Sequence, residues 1–139
     1  MTAKKYLRQL IDIDEDIHDY QDEILRIRTG MEKMTQQLSG MPNGTPDPDK
    51  LSGKMDGLFM WEEKLNSAID EACRLKADAL TIINQMQNQT LKKILFKHYI
   101  AGKPFVLIAV EMNYSYHRTC HMHGEALQRF SELLNDSNF

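Results

Sequence analysis

An all-α fold is predicted, a long N-terminal antiparallel helical hairpin of coiled-coil type followed by a C-terminal helix-turn-helix. Three observations predict it. Apolar residues recur at alternating steps of four and three through two long segments, a Pro- and Gly-rich stretch divides those segments, and the last fifty residues carry helix breakers and caps at short intervals.

In the first segment Tyr6, Leu10, Ile13, Ile17, Tyr20, Ile24, Ile27, Met31, Met34 and Leu38 form an unbroken heptad seam. Leu7, Ile11 and Leu25 are expected to widen the stripe, which suits a bundle helix better than a bare two-stranded coil. Residues 39–50, which include Gly40, Pro42, Asn43, Gly44, Pro46 and Pro48, read as a loop, because these residues stop helices or force turns. A second seam runs through Leu58, Trp61, Leu65, Ala68, Ala72, Leu75, Ala79, Ile82 and Met86. Gly53 and Gly57 make its first turns poor helix and leave its start open by several residues.

Helices of about 30 residues rise ~45 Å, and the loop is long enough for them to fold back antiparallel. A two-helix hairpin buries little, so pairing with a second copy is the economical completion, and a homodimer is expected. Residues 1–89 are therefore read as the hairpin and dimerisation region. Residues 90–139 are read as the helix-turn-helix module, with Asn88, Gln89 and Thr90 marking the junction.

Within the module, Leu91, Ile94, Leu95, His98 and Tyr99 give a first helix its apolar face, and Gly102 follows where a left-handed C-terminal cap is wanted. Pro104 suits the first turn of the next helix. That helix ends near Met112, Asn113 can take a left-handed turn conformation, and Ser115 is a good N-cap for the last helix, 115–130. Ala109 is small where two helices must cross, and Ile108, Met112, Tyr114, Thr119, Met122, Ala126, Leu127 and Phe130 supply a shared core. The outward face of the last helix then carries Tyr116, His117, Arg118, Cys120, His121 and Glu125.

This layout is that of a helix-turn-helix whose last helix enters the major groove of double-stranded DNA. Arg118 is a cation in a helical first turn, where it opposes the helix dipole, and facing phosphate or a guanine edge it would be useful. His117 is placed beside it for base or phosphate contact, Tyr116 and His121 in support, Ser115 at the helix entry, and Lys103 on backbone phosphate. The net charge of -3 is unevenly spread. Residues 90–139 hold six Lys and Arg against four Asp and Glu, whereas residues 1–89 hold eleven against sixteen. The basic excess thus sits with the reading module, as attraction to phosphate requires.

The segment GKPFVLIAVEMNYSYHRTCHMHGEALQRF resembles the sigma-70 region-4-type helix-turn-helix of small phage-borne transcriptional regulators of the RinA/ArpU-like group. The likeness rests on Gly102 and Lys103 before the second helix, Ile108 and Ala109 within it, Met112 to Ser115 at the turn, and His123, Gly124, Ala126 and Leu127 late in the last helix. YLRQL near the start and the Met-Pro loop extend it. The resemblance implies promoter-proximal DNA binding beside RNA polymerase, in control of phage late genes or of a prophage. Such modules open the second helix with an aromatic residue followed by acidic ones. Here Phe105, Val106 and Leu107 make that helix apolar nearly all round, so coverage by the hairpin, a second subunit or a protein partner is expected.

Other chemistry finds less support. Asp12, Asp14, Asp16 and Glu23 match a calcium-loop spacing, but Ile17, a seam residue, stands where that motif needs a glycine turn. His117, Cys120, His121 and His123 cannot all converge on one ion from a single helix. No P-loop, dinucleotide turn or catalytic triad is present, so neither an enzyme nor a cofactor or metal is expected. Cys73 and Cys120 lack CxxC spacing, no run reaches the length of a membrane span, and the N-terminus lacks a signal-peptide core. A cytoplasmic location is therefore expected. Two alternatives remain: a DNA-packaging protein of small-terminase type, and a helical protein-interaction module that does not bind DNA.

Overall fold

The computed structural model describes residues 2–39 and 48–137, all-helical with no strand among the described residues. The helices are α1 (Ala3–Ser39), α2 (Pro48–Ile83), α3 (Gln89–Leu95), α4 (Phe105–Met112) and α5 (Tyr116–Ser137). One π-helical turn, Phe96–Ile100, continues α3.

The chain forms two compact units, Met1–Asp14 with Glu71–Phe139, and Glu15–Asp70. The first unit joins the two open ends of the hairpin to the C-terminal helices because they share one core. Leu7 and Leu10 of α1, Ala79, Ile82 and Ile83 of α2, Leu91 and Leu95 of α3, and Ala126, Phe130 and Leu134 of α5 are all buried together. The Tyr6 ring packs 5.7 Å from the Phe130 ring, and Lys76 Nζ donates to Asp14 at 3.0 Å. Asp14 is thus an ion-pair partner on an unbroken helix, not a member of a calcium loop.

In the second unit Ile24, Leu58 and Ala68 are buried, and Tyr20 meets Trp61 at 5.6 Å. Arg28 bonds Glu62 at 2.6 Å across the helix pair. Both seams therefore face inward as their spacing predicts. Leu25 departs from its expected place: it is 65% exposed, so it does not widen the buried stripe. Leu38 lies outside the described side chains.

Helix boundaries also differ from expectation. The loop expected at 39–50 is corrected at both ends, because α1 includes Ser39 and α2 already begins at Pro48; residues 40–47 lie outside the described residues. Proline is tolerated at a helix start, where its missing N–H has no partner to lose, and Asp49 in the first turn favours the dipole. The helix then runs through Gly53 and Gly57 because packing of its seam outweighs a propensity cost of about 1 kcal/mol per glycine. At its other end α2 stops at Ile83, and Met86 is buried from a turn, closed by Gln85 and Met86 N–H bonds to Ile82 and Ile83 carbonyls.

Candidate functional site

Local chemistry sets each joint of the C-terminal helices. The Asn88 side chain accepts from the N–H groups of Thr90 and Leu91 and so caps α3. In the sequence Asn88 stands out only as a junction. In the π turn Ala101 N–H reaches the Phe96 carbonyl at 2.9 Å, and Gly102 takes the expected left-handed φ of 72°. Lys103 N–H then reaches back to the Lys97 carbonyl at 2.9 Å. The break between α4 and α5 is a Schellman motif: Asn113 has φ 59°, and Tyr114 N–H bonds the Ala109 carbonyl at 3.0 Å. Ser115 Oγ accepts from Arg118 N–H at 3.1 Å, which is the N-cap of α5. Thr119 is fully buried, and its hydroxyl is satisfied by donating to the Ser115 carbonyl.

Behind this joint lies an aromatic cluster. His98 stacks on Phe105 with centroids 4.0 Å apart, and its Nδ1 donates to the Lys103 carbonyl at 2.8 Å, an oxygen that can only accept. The Tyr99 hydroxyl is hydrogen-bonded to His123 Nε2 at 2.8 Å. Burial pushes the Tyr99 phenol up to about 12, and burial, then His98 and Lys4, push His123 down to about 4. His123 is therefore a half-buried polar partner of Tyr99. His117 and His121 lie on the exposed side of the same helix.

Tyr116, His117, Arg118 and His121 all stand exposed on the first turns of α5. The Arg118 guanidinium lies 4.9 Å from the centre of the Tyr114 ring, a cation–π contact that steadies it without neutralising it. The Cys120 side chain one turn on from Tyr116 holds its phenol above the usual range. Ser115 has its side-chain oxygen engaged as a helix cap. Lys103 stands apart from the α5 group. Its ammonium donates to both Glu111 oxygens, at 2.8 and 3.1 Å, and Lys97 donates to Glu111 at 2.7 Å. Those two ammonium groups, Lys103 first, hold the Glu111 carboxyl below the usual carboxylate range.

No family model, curated protein or solved structure matches this chain.

Lys97, Lys103 and Glu111 belong to a groove of about 620 Å³ that also takes in Lys92, Lys93, Phe96 and Tyr114. Tyr114 is thus shared: it lines the groove and sits under Arg118. Lys92, Lys93 and Lys97 are not among the site residues the sequence predicts, although three lysines within six residues are a signal it carries. Nothing in the spacing indicated that Glu111 would face them.

On α4, Ile108 and Ala109 turn inward while Val106 and Val110 are 64% and 70% exposed. The described residues therefore leave one side of this helix uncovered, where all-round cover is expected. Among the described residues no three His, Cys, Asp or Glu side chains gather as a metal site, and no helix is long and apolar enough to cross a membrane.

Proposed function

We propose that the chain is a sequence-specific DNA-binding transcriptional regulator, with the N-terminal half of α5 lying in the major groove. The observation that carries this reading is the presentation of Tyr116, His117, Arg118 and His121 on the exposed start of a helix set by a three-residue turn. Arg118 has no carboxylate partner among the described residues and leans on the Tyr114 ring, so its guanidinium edge is free to meet a base or phosphate. The protein acts in the cytoplasm as a homodimer, which would give two reading heads. Leu25, Phe59 and Met60 are large exposed apolar residues of the hairpin available for such pairing. The resemblance to phage regulators adds RNA polymerase as a neighbour on the promoter and a phage or prophage origin.

A second reading, a protein-interaction module that leaves DNA alone, is favoured by the exposed Val106, Leu107 and Val110 on α4. Selection from random duplex DNA with the purified chain, repeated with Arg118→Ala, separates the two. A regulator enriches a defined sequence, loses about 10-fold or more in affinity on Arg118→Ala, and weakens steeply with salt. Absence of enrichment, with residual binding indifferent to Arg118→Ala, supports the interaction module. Sedimentation of the same preparation distinguishes a dimer from the closed ring that a packaging protein would form.

A further inference from the structure

We infer that the groove between the end of α2, α3 and α4 is a phosphate seat, and that Glu111 occupies it in the free protein in place of a DNA backbone phosphate. The inference deepens the DNA-binding reading and, for its ligand, rests on it.

Four lysines, Lys92, Lys93, Lys97 and Lys103, line this groove with a single acidic residue, Glu111, and the Lys97 and Lys103 ammonium groups meet on its carboxylate. Such an imbalance suits an anion with more than one charged oxygen to offer. Glu111 already shows the geometry such an anion would adopt, with its two oxygens bridging Lys97 and Lys103 at 2.7 to 3.1 Å. Lys92 and Lys93 have no ion pair among the described residues, so their charge remains available.

The lysines leave from a rigid frame. Both backbone groups of Lys103 are bonded, its N–H to the Lys97 carbonyl and its carbonyl to His98 Nδ1. The stems of the two lysines therefore start from fixed neighbouring positions, and Glu111 gathers their ammonium groups before any ligand arrives, which lowers the entropy lost on binding. The Glu111 pairs are nevertheless partly open to water, with side chains 25% to 34% exposed. Pairs of that kind hold weakly, so an incoming phosphate can displace the carboxylate. Tyr114 joins the groove to Arg118, so a duplex read by α5 would bring a flanking phosphate to this seat. The carboxylate then acts as a latch. It opposes non-specific capture by the lysines, and yields where contacts from α5 hold the duplex in place.

The test measures affinity of the wild-type chain, Glu111→Gln, the double variant Lys97→Gln with Lys103→Gln, and Arg118→Ala for a short duplex across a salt series, with helicity checked for each. Glu111→Gln should bind about 3- to 10-fold more tightly. The double lysine variant should bind about 10-fold more weakly, with a salt slope shallower by roughly one, the single phosphate of this seat. Should Glu111→Gln misfold, Glu111→Ala replaces it. Unchanged or weaker binding by the folded Glu111 variant overturns the latch, and the DNA reading survives if Arg118→Ala still loses affinity. If the wild type binds no duplex at all, inorganic tripolyphosphate is titrated against the lysine side-chain NMR signals. Shifts at Lys97 and Lys103 then keep the phosphate seat while the DNA reading falls, and silent lysines overturn both.

Discussion

The Tyr99 hydroxyl and His123 Nε2 stand 2.8 Å apart, joining residues 24 positions apart through a partly buried polar contact at the edge of the core. His123 is held neutral there, with its pKa pushed down to about 4 from an ordinary 6.5. The unfolded chain therefore binds a proton between these two values that the folded chain refuses. Stability from this site is fully present above about pH 6.5 and declines as pH falls toward 4. Allowing for solvent at a partly buried ring, the loss should be about 1–2 kcal/mol. Urea midpoints across that range check it, and His123→Gln should flatten the slope. Tyr99→Phe removes the hydrogen bond and should cost about 1 kcal/mol at neutral pH.

Ser115 separates capping from DNA contact. Its oxygen serves the Arg118 N–H, so Ser115→Ala should lower stability by about 1 kcal/mol. Ser115→Asp keeps the cap and should restore that stability. On the proposed surface its negative charge should nevertheless weaken duplex binding, as anisotropy titrations would show.

Gly102 holds φ 72° in open space, so Gly102→Ala meets no clash yet strains the backbone. A loss of about 1 kcal/mol is expected. The same change should disturb the approach of Lys103 to Glu111, visible as a shift in the Lys103 side-chain NMR signal.

Gly57 and Gly124 present the opposite case. Both are helical, and a Cβ built at either would meet nothing within 4 Å. Gly57→Ala and Gly124→Ala should each raise stability by roughly 0.5–1 kcal/mol, seen as a higher urea midpoint at unchanged slope.

Sequence alone determined the helical class, the inward seams of the hairpin, and the joints at Gly102, Asn113 and Ser115. These features depend on local backbone preference and on a periodicity that survives any particular packing. It also placed Tyr116, His117, Arg118 and His121 on the exposed turns of α5, because the cap and core positions left them nowhere else. Tertiary structure alone decided that Leu25 points outward, that α2 begins at Pro48 and stops at Ile83, and that the hairpin ends share a core with α5. It alone set Lys97 and Lys103 on Glu111, Arg118 on Tyr114, and Tyr99 on His123. Such pairs depend on where distant turns of chain are brought together, and no single helix carries that information. The π turn belongs with them: one extra residue per turn leaves no mark on composition, yet it sets where Gly102 and Lys103 fall.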